Sequence, residues 1–401
     1  MGKVPAPVSP EERTAILERA RLRKMARSVH AYVRGNTVKF YEWLSTAEAD
    51  ALPAGPPIWI CGDCHLGNLG PLADAEGRVD IQIRDLDQTV IGNPAHDMVR
   101  LGLSLASAAR GSNLPGVTTA RMLEQMVRGY ILALRDPESE DPPPEPHAVK
   151  VVRRHSLGRR WRHLARERLS DVTPTIPLGS KFWALQADER LAIQALFEQE
   201  DVRRLVLSLN DRADESDLEV VDAAYWKKGC SSLGLLRYAV LVELKGGGRK
   251  NSNALVDLKQ AGPAAAPRAS GVRMPRHHGE RIVQGARALS PNLGDRMMAA
   301  DLLGKPIVVR ELAPQDLKLE IDQFSRQEAV QAASYLAYVV GHAHARQMDA
   351  ATRKAWRAEL ERRHPADLDA PNWLWSSVVE LAVRHEGGYL EHCRDHVLDA
   401  A

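Results

Sequence analysis

"WICGDCHLGNLG", residues 59–70, admits two incompatible chemistries. Cys61, Cys64 and His65 spell C-x-x-C-H, the attachment pattern of a c-type haem. Shifted by one residue, the same letters spell G-D-x-H-x-x-N. Asp63 and Asn68 then stand five apart, as in the D-x-x-x-x-N loop of phosphoryl transfer. In such a loop the Asp takes or orients the proton of the acceptor hydroxyl and the Asn holds a metal ion. The rest of the chain decides between the two.

The bulk properties weigh against haem. The chain has 401 residues, enough for one large or two modest domains, with 44% hydrophobic and 26% charged residues, an ordinary globular balance. A net charge of +2 argues against a dedicated nucleic-acid binder. No run of 18 apolar residues is present, so no membrane span is expected. The first residues lack the apolar core of a secretory signal, and Ala6 breaks the myristoylation pattern. A cytoplasmic protein is expected, whereas covalent haem attachment is normally completed outside the cytoplasm. Four cysteines in so long a chain make no disulfide framework. No thioredoxin-like strand–CxxC–helix context surrounds Cys61 and Cys64, so free thiols without a redox role are the simpler expectation.

Working outward, "PPIWICG" is a short apolar run after a proline pair, hence a strand leading into the loop. "RVDIQIRDLDQ" alternates Val79, Ile81 and Ile83 with polar neighbours, the period of a half-buried strand. It ends in Asp85, a candidate Mg²⁺ ligand, with Asp87 as a second, because Mg²⁺ favours one or two carboxylates plus phosphates. "PAHDMVRLGLSLASAAR" reads as a helix with Pro94 near its start. Asp97 at that start is either a helix cap or an acceptor for backbone N–H groups of the 61–68 loop. Upstream, residues 10–45 read as helical with a break near Gly35, opened by a Ser9/Glu12 capping box.

Downstream, "LRDPESEDPPPEPH" (134–147) is an acidic, proline-rich linker, and the basic helical segment after it is read as a solvated face. From 218 the pattern changes to three strand-like runs, a helix near 278–289, and a hairpin turning at Gly304–Lys305. Helices resume from Ser325. Gly229 and Gly234 stand five apart between two of the strands, with Ser231 and Ser232 between them. Such a turn lets backbone N–H groups approach phosphates. Lys259 ends the next strand, where its cation would reach the same phosphates.

Together, "RKMARSVHAYVRG", "GDCHLGNLG", "IRDLDQTVIGNPAHDMVRLGLSLA", "ERIVQGARALSP", "PIVVRELAPQDLKLEI" and "GHAHARQ" resemble the bacterial domain-of-unknown-function family 2252, in order, from about 20 to 397. That family is grouped with the protein-kinase-like fold, and "GDCHLGN...IRDLDQ...PAHDMVRL" is similar to the core of aminoglycoside and choline phosphotransferases. The resemblance implies Asp63 as catalytic Asp, Asn68 and Asp85 as metal ligands, Asp97 as loop anchor, and ATP with Mg²⁺ as cofactors. Two departures stand out: Cys61 replaces a frequent His, and Arg84 precedes the metal-ligand Asp where an apolar residue is usual.

In a kinase the Gly-rich loop and its lysine precede the catalytic loop; here they follow it. The expectation is an α+β, protein-kinase-like bilobal fold that is circularly permuted. Residues 1–215 and 314–401 would form the helical lobe and 216–313 an inserted antiparallel sheet lobe. "VVREL" (308–312) would be the hinge strand. Glu280 is the candidate ion-pair partner of Lys259, with Glu243 and Glu311 also available. The expected function is an ATP- and Mg²⁺-dependent phosphotransferase acting on an unidentified small-molecule or protein acceptor. Nucleotidyl transfer on the same scaffold and a nucleotide-binding regulator without turnover are the alternatives.

Overall fold

The structure, a computed structural model, describes residues 7–46, 52–135, 142–169, 175–209, 217–228, 233–245, 252–319, 325–362 and 371–396. Three helices open it: α1 (Pro10–Met25), α2 (Val29–Gly35) and α3 (Thr37–Leu44). Each starts at a side-chain cap. The Ser9 hydroxyl accepts from Glu12 N–H and the Glu12 carboxylate accepts from Ser9 N–H at 3.1 Å, the expected capping box. Ser28 and Asn36 cap the next two.

Four short strands follow: β1 (Ile58–Ile60), β2 (Leu69–Ala73), β3 (Val79–Ile83) and β4 (Val90–Gly92). β1 pairs with β4 and β2 with β3, both antiparallel. The 61–68 loop therefore leaves one ribbon for the other, and the 84–89 loop returns between them. Their roots touch, with Arg84 N–H donating to the Asn68 carbonyl at 2.7 Å.

Helices α4 (Ala95–Gly111), α5 (Gly116–Arg135), α6 (His147–Leu157) and α7 (Trp161–Arg168) come next, the basic segment dividing at Gly158. Then come β5 (Phe182–Trp183), α8 (Ala187–Phe197), α9 (Glu200–Leu207), β6 (Asp217–Trp226), β7 (Arg237–Lys245), β8 (Ser252–Gln260), α10 (His278–Leu289), α11 (Pro291–Gly294), β9 (Met297–Leu302) and β10 (Lys305–Glu311). The chain ends in α12 (Arg326–Ala345), α13 (Ala350–Arg362) and α14 (Asn372–His396). The fold is mixed α+β with antiparallel sheets. Among the described residues no helix is long and apolar enough to cross a membrane.

The main sheet has six strands in the order β5-β6-β7-β8-β10-β9, antiparallel throughout. Its β9–β10 turn falls at Leu303–Gly304, one residue before the expected Gly304–Lys305. Both turn residues have left-handed φ (52° and 68°), as a two-residue type I′ hairpin requires, and Lys305 already pairs with Leu302. On one face of the sheet, Phe197, Val202 and Val206 of α8–α9 pack against Val240, Val256 and Val309. On the other, Leu164 joins Phe182, Trp226 and Leu241. Elements before residue 216 thus complete the sheet and its core.

The helical part is drawn from both sides of the sheet in sequence. α5 and α12 cross so closely that a Cβ on Gly129 would stand 2.1 Å from the Ser334 carbonyl oxygen. α14 packs on α4 and α2, and reaches α1 through a His392 Nε2 contact with the Leu22 carbonyl at 2.9 Å.

Candidate functional site

The 61–68 loop is fixed by its backbone. Gly62 has φ +74°, and a Cβ there would collide with the Gln88 carbonyl oxygen at 2.1 Å, so the two loops meet only because this residue has no side chain. The Asp97 carboxylate accepts from Cys61 N–H at 2.7 Å and Gly62 N–H at 2.9 Å. Asp97 is therefore the anchor of the loop; its helix starts at Pro94 without a side-chain cap bond. Behind it runs a buried polar chain. His344 Nε2 lies 3.2 Å from Asp97, the Tyr130 hydroxyl 2.8 Å from His344 Nδ1, and Trp356 Nε1 donates to that hydroxyl at 3.2 Å. The Tyr41 hydroxyl donates to the Gly62 carbonyl, and Thr89 to that of Ile60 at 2.6 Å.

Asp63 is 7% exposed, and its Oδ1 receives Arg100 Nε at 2.9 Å. Burial raises its pKa above the usual carboxylate value, and the Arg100 charge opposes that rise. Its Oδ2 lies 3.9 Å from His65 Nε2. Burial, with Arg34 and Arg100 nearby, holds the His65 pKa well below its ordinary value, so the ring is neutral at pH 7. Asn68 Nδ2 donates to the Asp63 carbonyl at 2.9 Å, while its Oδ1 takes part in no hydrogen bond among the described residues.

Lys259, at the end of β8, reaches across from the sheet. Its ammonium lies 3.2 Å from Asp85 Oδ1 and also pairs with Asp87 Oδ2. These partners precede it by 174 residues in the case of Asp85. Burial would lower the lysine's pKa, but the two carboxylates outweigh it and hold the pKa above its usual value. Asp85 sits at the cleft mouth, 49% exposed. Burial works against its charge, yet Lys259, then Arg237 and Arg310, keep its pKa below the ordinary range. Asp87 goes the other way, raised by burial and by the Asp85 charge.

Glu280 is not brought to this lysine. It lies exposed in the first turn of α10, where its N–H donates to His277 Nδ1 at 3.2 Å. Consecutive helical residues point about 100° apart, and α10 turns Arg281 inward instead. The Arg281 guanidinium donates to the carbonyls of Thr89, of Asp87 at 2.9 Å and of Gly262 at 2.8 Å. Glu243 lies 3.4 Å from Lys245. Of the Gly-rich turn, Gly229, Ser231 and Ser232 lie outside the described residues. Gly234 has φ +103°, with open space where a side chain would stand.

Asp63, Asn68, Asp85, Asp87 and Lys259 line one cavity of about 730 Å³ between the sheet and the helices. Several other residues on its wall were not singled out from the sequence. Arg237 and Arg310 clamp the buried Asp257, with contacts of 2.9, 2.5 and 3.0 Å. Lys227 and Lys228 stand over the rings of Trp183 and Trp226 at 4.2 and 4.1 Å, and burial lowers both ammonium pKa values. Lys24, Arg27 and Arg34 line the end formed by α1 and α2, and Arg84 and Lys318 complete the set. Ten basic side chains thus face four acidic ones in this cavity, although the whole chain carries only +2. Such a wall attracts polyanions. A usable signal existed for Asp257: it stands two residues before Lys259, on the same strand face.

The possible metal donors here are all oxygens: the Asn68 amide and the Asp85 and Asp87 carboxylates. Among the described residues no group of three His, Cys, Asp or Glu side chains is arranged to hold a metal ion. Cys61 and Cys64 are free and fully buried. A hydrogen bond with Cys64, and burial, push the Cys61 thiol pKa well up. Thiols enclosed in this way have no access to a porphyrin edge.

Residues 13–395 match the family described as "Uncharacterized protein conserved in bacteria (DUF2252)". No curated protein and no solved structure matches the chain.

Proposed function

We propose that this chain, which belongs to the DUF2252 family, is an ATP- and Mg²⁺-dependent phosphotransferase on a circularly permuted, protein-kinase-like fold. The observation that carries this reading is the Lys259–Asp85/Asp87 cluster opposite Asp63 and Asn68 in one strongly cationic cavity. Permutation requires that contact, since it must join a strand lysine to a loop far upstream in sequence. In the permuted arrangement residues 1–215 and 314–401 make the helical lobe and 216–313 the sheet lobe, which β5, α8 and α9 extend.

The residues divide the work by chemistry. Lys259 binds the triphosphate of ATP, the role in which the sequence also casts Gly229, Ser231, Ser232 and Gly234. Asn68, Asp85 and Asp87 fit Mg²⁺, which favours hard oxygen donors. When bound, that ion neutralises charge on the transferring phosphoryl group. Asp63 orients the acceptor hydroxyl through Oδ2, because Arg100 already occupies Oδ1. Burial raises the Asp63 pKa and the Arg100 charge opposes that rise, so the carboxylate positions the hydroxyl and can take its proton on the way to solvent. The bond from the γ-phosphorus to the bridging oxygen breaks, a bond to the acceptor oxygen forms, and the hydroxyl proton passes to solvent by way of Asp63.

Incubation of the protein and a metabolite extract with ATP labelled in the γ-phosphate tests this. Label in an acceptor that disappears with Asp63→Asn supports phosphotransfer. Label transferred only from the α-phosphate would replace it with nucleotidyl transfer, and no transfer with intact ATP binding would leave a regulator.

A further inference from the structure

The cationic wall of the cavity has two ends, and only one serves a nucleotide. At the sheet end stand Lys259, Lys227 and Lys228. At the other, beyond Asp63, stand Arg27 and Arg34, at the junction of α1 and α2 and in α2 itself. Arg34 lies against the loop: a Cβ on Gly67 would come within 2.8 Å of its Nη2. The Arg34 guanidinium has no hydrogen-bond or ion-pair partner among the described residues, and neither has the Arg27 side chain. Asp63, the acid of this loop, is paired with Arg100 through Oδ1, and the other acids of the wall, Asp85, Asp87 and Asp257, stand at the sheet end beside Lys259, Arg237 and Arg310.

His65 supplies an independent observation. It lines the same end, is 4% exposed, and its buried Nδ1 has no partner. The acceptor end thus presents an unpaired planar guanidinium beside an imidazole with an unsatisfied Nδ1, and the carboxylate there, Asp63, is already paired with Arg100.

We infer that the acceptor is an anionic alcohol, a hydroxyl compound that also carries a phosphate or carboxylate group, and that Arg34, assisted by Arg27, binds that group while Asp63 faces the hydroxyl. This rests on the phosphotransferase reading and narrows it. An amino-alcohol or aminoglycoside acceptor needs a carboxylate free to pair with its ammonium beside Arg34, and Asp63 is already paired with Arg100. Guanidinium groups suit the task because their forked N–H donors match carboxylate and phosphate oxygens.

The test is calorimetric titration of the full chain with inorganic phosphate, before and after saturation with Mg²⁺ and a non-hydrolysable ATP analogue. Wild type should retain a phosphate site when the nucleotide site is filled. Arg34→Gln should weaken that site about 10- to 100-fold and leave analogue affinity within about twofold, whereas Lys259→Ala should do the reverse. Thermal melting of each variant shows whether it is folded, and Arg27→Gln serves as a milder second variant if Arg34→Gln is not. Phosphate binding that survives both arginine variants, or that vanishes once the analogue is bound, overturns the inference. So does choline binding at this end in competition with phosphate. Failure of the wild type to bind the analogue would instead sink the phosphotransferase reading.

Discussion

Asp97→Ala separates two roles that differ in size. A carboxylate in the first turn of a helix stabilises by about 0.3–1 kcal/mol through the helix dipole. The carboxylate of Asp97 does more: it satisfies the buried N–H groups of Cys61 and Gly62 and meets His344. It is 1% exposed, so solvent has little access to replace it. Leaving a buried donor unpaired costs about 1–3 kcal/mol, so the two amides together predict a loss of about 2–6 kcal/mol. That is a large part of the roughly 5–15 kcal/mol that keeps a domain folded. Asp97→Asn keeps an acceptor oxygen and should fall between. Urea unfolding followed by tryptophan fluorescence and far-UV circular dichroism measures the loss, provided the two probes coincide. A loss below about 1 kcal/mol for Asp97→Ala would refute the anchor and leave only the helix terminus.

Three further outcomes follow from the same geometry. Lys259→Ala should weaken Mg²⁺–ATP binding about 10- to 100-fold by loss of a charge-assisted phosphate contact, read by calorimetry; unchanged affinity would remove this lysine from the site. Asp257→Asn should cost about 3–5 kcal/mol at neutral pH by leaving Arg237 and Arg310 without a counter-charge. The folded-state pKa of Asp257 lies below its unfolded value. Its contribution is therefore complete above about pH 4 and is lost as pH falls toward the folded value. Wild type should lose more urea resistance than the variant between about pH 5 and pH 2, and parallel curves would contradict this. Cys61→Ala with Cys64→Ala should leave nucleotide affinity unchanged; a haem absorption band in wild type that the double variant lacks would make residues 59–70 a haem-attachment segment.

What the sequence disclosed was local. The Ser9–Glu12 box, the strand before Gly62, the alternation ending at Asp85 and the position of Lys259 all depend on neighbours within a few residues, and these features are in the structure. Partners set by packing were hidden. Nothing in the spacing says that α10 turns Arg281 rather than Glu280 toward the 84–89 loop; the rotation of the helix about its axis decides that. Arg100 reads as an interruption in an apolar helix until Asp63 and the Val33 carbonyl are seen to meet it. The Arg237–Asp257–Arg310 clamp depends on the register of three strands, and the placement of Arg27 and Arg34 beside the 61–68 loop depends on where α2 crosses it.

The helical assembly also sets a schedule for synthesis. The main sheet, from Phe182 to Glu311, is made of nearly contiguous chain and can close early. Helices α1 and α2 wait for α14: the contact between Leu22 and His392 spans 370 residues. At translation rates of about 5–20 residues per second, that leaves the apolar faces of the first helices without their final partner for on the order of tens of seconds. By the time the sheet is complete at Glu311, every residue that lines the cavity except Lys318 has been made, yet α1 and α2 still await α14, and their apolar faces stay open to non-native association until then.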